Sequence, residues 1–213
     1  MEELLLTGAL QGTLIRPSQR LGWGIVVISG SSGRLDVGRA RVFSAEGILA
    51  LAQRWFGGEG QSPGICEIPL ETFTLAVDRL LAEGCERIAF LGVSRGAEAA
   101  LLMAAHDPRI NLAVAVAPSP VVWAASGKGI DGWSWYARSS WTREGRPLAF
   151  MAYDPRWRPA EKTRIRFRGF SRKVSLHLRK IFPLQRFRSR GPTRLFFLSR
   201  VTRMQCGRPI DLL

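Results

Sequence analysis

Arg87-Ile-Ala-Phe-Leu-Gly-Val-Ser-Arg-Gly-Ala-Glu-Ala-Ala-Leu-Leu-Met-Ala-Ala-His106 is the stretch from which the fold is read. Its first part, Arg87 to Gly92, is a continuous apolar run of the kind that fills a strand buried on both faces. Its last part, Ala97 to Ala105, carries apolar residues at three and four spacing, the pattern of a helix with one buried face. Between them lies Gly92-Val93-Ser94-Arg95-Gly96, so strand passes into helix through a serine flanked by glycines. A serine there sits on a tight, strained turn, and side chains at 92 and 96 would collide with the neighbouring helix and strand. The turn aims Ser94 Oγ out of the sheet. It also leaves the Arg95 N–H, at the helix N-terminus, facing any oxyanion formed beside that oxygen. Gly-x-Ser-x-Gly in a strand, turn and helix is the pattern of a nucleophilic serine. The plainer account is a Gly-flanked serine that caps a helix.

Upstream, Gly24-Ile25-Val26-Val27-Ile28-Ser29 is a second buried run, rich in β-branched residues, and further runs follow at Ile48 to Ala52 and Leu112 to Ala117. Helical segments fall between the runs at Val37 to Ala45 and Leu70 to Ala82. Strands alternating with helices of this length imply an α/β fold, a mostly parallel sheet with helices on both faces. Leu4 to Leu6 and Gln11 to Arg16, split by Thr7-Gly8 and closed by Pro17, read as a leading hairpin. A serine elbow needs a second oxyanion donor, which comes from the loop after an earlier strand. That loop is Ser29-Gly30-Ser31-Ser32-Gly33, and Ser31, two residues past the strand, is the expected N–H donor. A flexible turn of small residues accounts for the same loop without chemistry.

The 213 residues carry a net charge of +14, and that charge is unevenly placed. From Arg156 onward there are 17 Lys and Arg against two acids, Glu161 and Asp211, which leaves 14 basic and 15 acidic residues before it. The chain therefore divides into a near-neutral domain over 1–155 and a basic tail over 156–213. No apolar run approaches the 18 or so residues that cross a bilayer. The acidic start Met1-Glu2-Glu3 is unlike a secretory leader, and three irregularly spaced cysteines suggest neither a disulfide framework nor a zinc site. The expectation is a cytoplasmic protein without a cofactor, in which Cys66 and Cys85 are small buried apolar residues.

Several segments together resemble a known family. They are Gly24 to Gly33, Ile48 to Ala52 followed by Trp55-Phe56-Gly57, Glu67-Ile-Pro-Leu-Glu71, Arg87 to Gly96, Ala115-Val-Ala-Pro-Ser119 and Ser139-Ser-Trp-Thr142. In order and spacing, over roughly residues 8 to 158, they look like the C-terminal catalytic domain of the acyl-CoA thioester hydrolase and bile acid-CoA:amino acid N-acyltransferase family. The resemblance implies an α/β-hydrolase-like fold and a Ser (or Cys)/Asp/His triad attacking a thioester carbonyl, with Ser94 as nucleophile. An acyl-CoA or related thioester is the implied substrate. A serine at that position resembles the hydrolase branch, since the transferases typically carry cysteine. The N-terminal β-sandwich of longer members has no counterpart in the chain.

In chain order the acid and the histidine should follow the nucleophile. Only His106 and His177 exist. His106 ends the elbow helix, faces away from the serine and suits the last helical carbonyls. Asp154 precedes His177, so Ser94, Asp154 and His177 meet the order by count alone. The resemblance ends before the positions where the family has its acid and histidine, so the fold is expected to be incomplete or divergent at its C-terminal part. Leu195 to Ser199 could be a strand, but Arg200 to Gln205 lacks the acidic loop expected after it. A reading-frame change in the coding sequence would produce such an arginine-rich end, with residues 160 to 190 the least ordered. The rival is a catalytically inactive protein whose basic arm, with Phe167, Phe170, Phe182 and Phe187 interleaved, binds nucleic acid or anionic surfaces. Trp123, Trp133, Trp135, Trp141 and Trp157 either line an acyl pocket or cover the sheet. Ser126 to Gly132 and Thr142 to Arg146 read as solvated loops.

Overall fold

The computed structural model describes residues 1–126, 137–152 and 194–198. The elements run β1 (Glu2–Leu6), β2 (Gln11–Arg16), β3 (Trp23–Ile28), α1 (Val37–Ala45), β4 (Leu49–Arg54), β5 (Ile68–Pro69), α2 (Glu71–Ala82), β6 (Arg87–Val93), α3 (Arg95–His106), β7 (Ile110–Val116), β8 (Trp141–Arg143), β9 (Arg146–Pro147) and β10 (Arg194–Leu198). Each apolar run of the sequence has become a strand or helix, with ends moved by one or two residues.

The main sheet has the order β1-β2-β4-β3-β6-β7-β10. β3, β4, β6, β7 and β10 are parallel, while the β1–β2 hairpin joins antiparallel through β2 against β4. Alternation along β3 sorts its side chains by face. Val26 and Ile28 pack with Phe73, Val77 and Leu80 of α2 and with Ala99, Ala100 and Met103 of α3. Ile25 and Val27 pack on the other face with Ala40 and Phe43 of α1. Helices therefore cover both faces, the α/β-hydrolase-like arrangement expected. Asp36 caps α1, its carboxylate accepting from the Arg39 N–H at 3.2 Å. α2 ends where Gly84, at φ +86°, donates its N–H to the Leu81 carbonyl at 2.9 Å.

A small second sheet, β5-β8-β9, corrects the reading of residues 142–146 as a solvated loop. β8 pairs with β5 in parallel and with β9 through a two-residue turn. Glu144 at φ +51° and Gly145 at φ +72° supply the two positive angles that such a tight hairpin needs. In the basic segment the strand expected at 195–199 is β10, paired in parallel with β7 from Arg194↔Leu112 to Leu198↔Val116. Most of that segment, including residues 160 to 190, lies outside the described residues.

Candidate active site

Ser94 stands where β6 ends and α3 begins, with φ 53° and ψ −117°. A non-glycine residue holds such angles only where its surroundings over-determine them. Here the surroundings are two glycines. A Cβ on Gly92 would overlap the Gly96 carbonyl and approach the Ala97 nitrogen to 2.7 Å. A Cβ on Gly96 would overlap the Ser29 carbonyl oxygen. Helix, elbow and neighbouring strand thus approach more closely than any side chain permits, as the sequence led one to expect.

The same geometry exposes the chemistry. Ser94 is exposed and donates its N–H to the Val116 carbonyl at 2.9 Å, while its Oγ has no hydrogen-bond partner among the described residues. The Ala97 and Glu98 N–H groups both donate to the Ser94 carbonyl, at 2.9 and 3.2 Å, closing the first helical turn onto the serine. The N–H groups of Arg95 and Gly96 are left without a partner among the described residues, as at any helix start. They carry the positive end of the helix dipole.

The loop after β3 lies against this turn. A Cβ on Gly30 would stand 2.9 Å from the Val93 carbonyl oxygen and 3.0 Å from Ser94 Cβ. The close approach belongs to Gly30, which the sequence reading passed over, although a glycine directly after a buried strand was the available signal. Ser31 follows it, exposed, its N–H free of partners among the described residues.

The Arg95 side chain was also missed, because only its backbone was considered. It is buried and ion-paired to buried Glu98 at 2.9 Å. Its Nη2 donates to the Ala124 carbonyl at 2.9 Å and to Ser140 Oγ. Glu98 Oε1 accepts from the Trp141 indole N–H at 2.6 Å and from the Trp123 N–H at 3.0 Å. Burial holds the Glu98 carboxyl above the ordinary carboxylate range, opposed only in part by the Arg95 guanidinium and the hydrogen bonds from Trp141 and Trp123. The signal in the sequence was a charged pair at i and i+3 in the first turn of an otherwise apolar helix.

Of the five tryptophans, Trp141 is a core residue rather than a pocket wall. It is fully buried and stacks on Trp55 with centroids 5.2 Å apart. Trp123 is half-buried, and Trp133, Trp135 and Trp157 lie outside the described residues. His106 ends α3, roughly 17 Å along the helix from the elbow by helical rise, with Nδ1 2.9 Å from Arg143 Nη1. Asp154 and His177 lie outside the described residues. Both Cys66 and Cys85 are buried, and burial raises their thiols, that of Cys85 to about 11. Among the described residues there is no cluster suited to a metal, and no helix is long and apolar enough to cross a membrane.

No family model matches the chain, and no curated protein matches it. Solved structures that resemble it include the α/β hydrolase GrgF from Penicillium sp. sh18, at 23% identity over 58% of this chain and 47% of that one, TM-score 0.43. Est1E from Butyrivibrio proteoclasticus matches at 17% identity over 55% of this chain and 51% of its own, TM-score 0.42. An esterase from Pyrococcus furiosus matches at 18% identity, with 55% and 51% covered and a TM-score of 0.44. The chain spans about half the length of these structures.

Proposed function

We propose that the chain is a serine hydrolase that transfers an acyl group from a thioester to Ser94 and then to water. The observation that carries this reading is Ser94 itself, exposed at φ 53° on an elbow that Gly92 and Gly96 force, with its Oγ free of hydrogen bonds among the described residues. Ser94 Oγ attacks the thioester carbonyl carbon as a base takes its proton. The N–H groups of Arg95 and Ser31 hold the resulting oxyanion, each such donor contributing about 10²- to 10³-fold. The C–S bond then breaks and the thiol leaves with that proton. Water attacks the acyl-serine, and the acid and Ser94 are released. For the acid and the histidine of the triad, Asp154 and His177 are candidates by chain order alone, and both lie outside the described residues. The choice of thioester over oxygen ester rests on the family resemblance of the six segments.

A fluorophosphonate probe and a pair of substrates, a long-chain acyl-CoA and a p-nitrophenyl ester of the same acid, test both levels. The expected result is phosphonylation of Ser94, its loss in Ser94→Ala, and faster turnover of the acyl-CoA. Labelling that persists in Ser94→Ala removes this serine from the mechanism. Preference for the oxygen ester leaves a serine hydrolase and removes the thioester.

A further inference from the structure

The two sides of the proposed oxyanion hole are far apart in sequence and meet only by close approach, Ser29 against Gly96 and Gly30 against Ser94. The loop over 29–33 has one internal backbone hydrogen bond, Gly33 N–H to the Gly30 carbonyl at 3.3 Å, and among the described residues no backbone hydrogen bond joins residues 30–33 to residues 94–97. A continuous buried path nevertheless joins them. The Ser29 carbonyl accepts the Trp55 indole N–H at 3.2 Å and abuts the Gly96 backbone. Trp55 stacks on Trp141 at 28° between ring planes. Trp141 donates to Glu98, and Glu98 pairs with the Arg95 guanidinium, which also donates to the Ala124 and Trp123 carbonyls and to Ser140 Oγ.

The chemistry of this path is directional at each end and apolar in the middle. A peptide unit is planar, so fixing the Ser29 carbonyl fixes where the chain enters Gly30 and Ser31. Arg95 is the residue whose own N–H faces the oxyanion, so anchoring its guanidinium fixes that N–H as well. A buried ion pair is a weak source of stability, and apolar residues of the same volume would pack as well. Its place, on the one helical turn that carries the oxyanion donors, makes sense for registration. We propose that the stacked Trp55 and Trp141, with Glu98 and the Arg95 side chain, are positioning residues that lock the 29–33 loop and the α3 N-terminus into one oxyanion frame. The lock rests on the serine-hydrolase reading only for its use; the mechanical coupling stands apart from it.

Trp55→Phe and Trp141→Phe keep an aromatic ring in the stack and delete one N–H each. The Trp141 indole N–H bonds only on the helix side, to Glu98, so a lock predicts an effect across the stack. In Trp141→Phe the backbone amide order parameters of Gly30 and Ser31 should fall from about 0.85, the rigid range, toward 0.6, along with those of Arg95 and Gly96. Trp55→Phe should do the reverse across the same stack. Glu98→Gln, which keeps an oxygen acceptor for the Trp141 indole, should retain the rigidity of Gly30 and Ser31, and Glu98→Leu should not. In the same proteins the maximal rate of Ser94 phosphonylation should drop roughly three- to tenfold, the scale of one lost buried hydrogen bond, with the half-saturating probe concentration within about twofold. Phe73→Leu is the control, because the Phe73 ring packs beside both indoles, with centroids 6.0 Å from each, and offers no hydrogen bond. It should lower the melting temperature without slowing labelling by more than about twofold. Loosening confined to the side that each indole touches, or Phe73→Leu slowing Ser94 as much as the tryptophan variants, overturns the proposal. A wild-type protein that does not label overturns the hydrolase reading, and the order parameters still decide the lock.

Discussion

The three glycines around Ser94 predict a graded response to a single methyl group. At Gly92 an added Cβ overlaps the Gly96 carbonyl and lies 2.7 Å from the Ala97 nitrogen, all helix backbone that cannot turn aside. The cost exceeds the 4–5 kcal/mol that marks an exceptional substitution, against a total stability of about 5 to 15 kcal/mol. Gly30 is different. Its Cβ would be 2.9 Å from the Val93 carbonyl and 3.0 Å from Ser94 Cβ, which a shift of a few tenths of an ångström relieves, and its φ is not in the left-handed region. Overpacking of this size costs about 1–3 kcal/mol, offset by about 0.4–1 kcal/mol from a stiffer unfolded chain. The net, about 1–2 kcal/mol, lowers the melting temperature by roughly 2–8 °C in a domain of this size. Reactivity should suffer more. The atoms that yield are those of the nucleophile, and since an error of 1 Å costs about 10²-fold, a shift of half that costs roughly tenfold in phosphonylation of Ser94. Gly30→Ala is thus expected to fold and label about tenfold more slowly, and Gly92→Ala to give no folded protein. Thermal melts and probe kinetics on the two variants measure this. Wild-type labelling in Gly30→Ala, or a wild-type melt in Gly92→Ala, refutes the steric account of the elbow.

Two further outcomes follow from titrating groups away from the site. Hydrogen bonds from Arg16, then from Arg79, hold the Glu83 carboxyl at about 2, below the ordinary 4.5. A depressed carboxylate stabilises the fold above its unfolded pKa and loses that contribution as pH falls from about 5 toward 2. Denaturant midpoints should therefore drop over that window by the equivalent of about 1–2 kcal/mol after surface screening, and Glu83→Gln should flatten the drop. The Cys85 thiol, raised to about 11 by burial, should react slowly with a disulfide reagent at pH 8 in the folded protein and quickly in denaturant, read by mass spectrometry of its peptide. Fast modification of the folded protein would show that the turn between α2 and β6, where Cys85 packs on Gly24 of β3, opens readily.

What could be read from the sequence was whatever a local pattern determines. The runs at Ile25 to Ile28 and Ile88 to Leu91 are buried on both faces, so their composition alone marked them as central parallel strands. The elbow was legible because sterics leave glycine as the only residue for positions 92 and 96. β5, β8 and β9 were not legible. Each has two or three residues, too few for a period; β5 and β8 form because each offers the other, far away in sequence, a backbone edge, and β9 only extends that pair through a tight turn. Trp141 shows the same limit for a side chain. Its type fits a pocket wall or a core equally, and the choice was made by Trp55, 86 positions earlier, and by the Glu98 carboxylate. The Arg95 side chain was missed for a related reason. Its own position says nothing of burial, and it is Glu98, one turn on, that allows the cation to be buried.

The geometry of Ser94 follows from the core that the described residues build. A φ of 53° at Ser94 costs about 1–3 kcal/mol and persists only if both arms of the turn are held. On one arm Phe90 and Leu91 of β6 are fully buried, and together their burial contributes roughly 3–6 kcal/mol. On the other arm Ala97, Ala99 and Ala100 seat α3 against the sheet with no exposure, and Arg95 and Glu98 tie its first turn to the 123–124 and 140–141 segments. These anchors exceed the strain, so relaxing Ser94 would require separating β6 or α3 from the sheet. The placement of Ser94 is therefore a consequence of packing among the described residues. Proton transfer to a base, which the proposed reaction requires, is not, because no described group hydrogen-bonds Ser94 Oγ. The two halves of the chemistry separate experimentally: a rate that rises with added imidazole in a chain whose Ser94 labels slowly would locate the deficit in the base and leave the elbow intact.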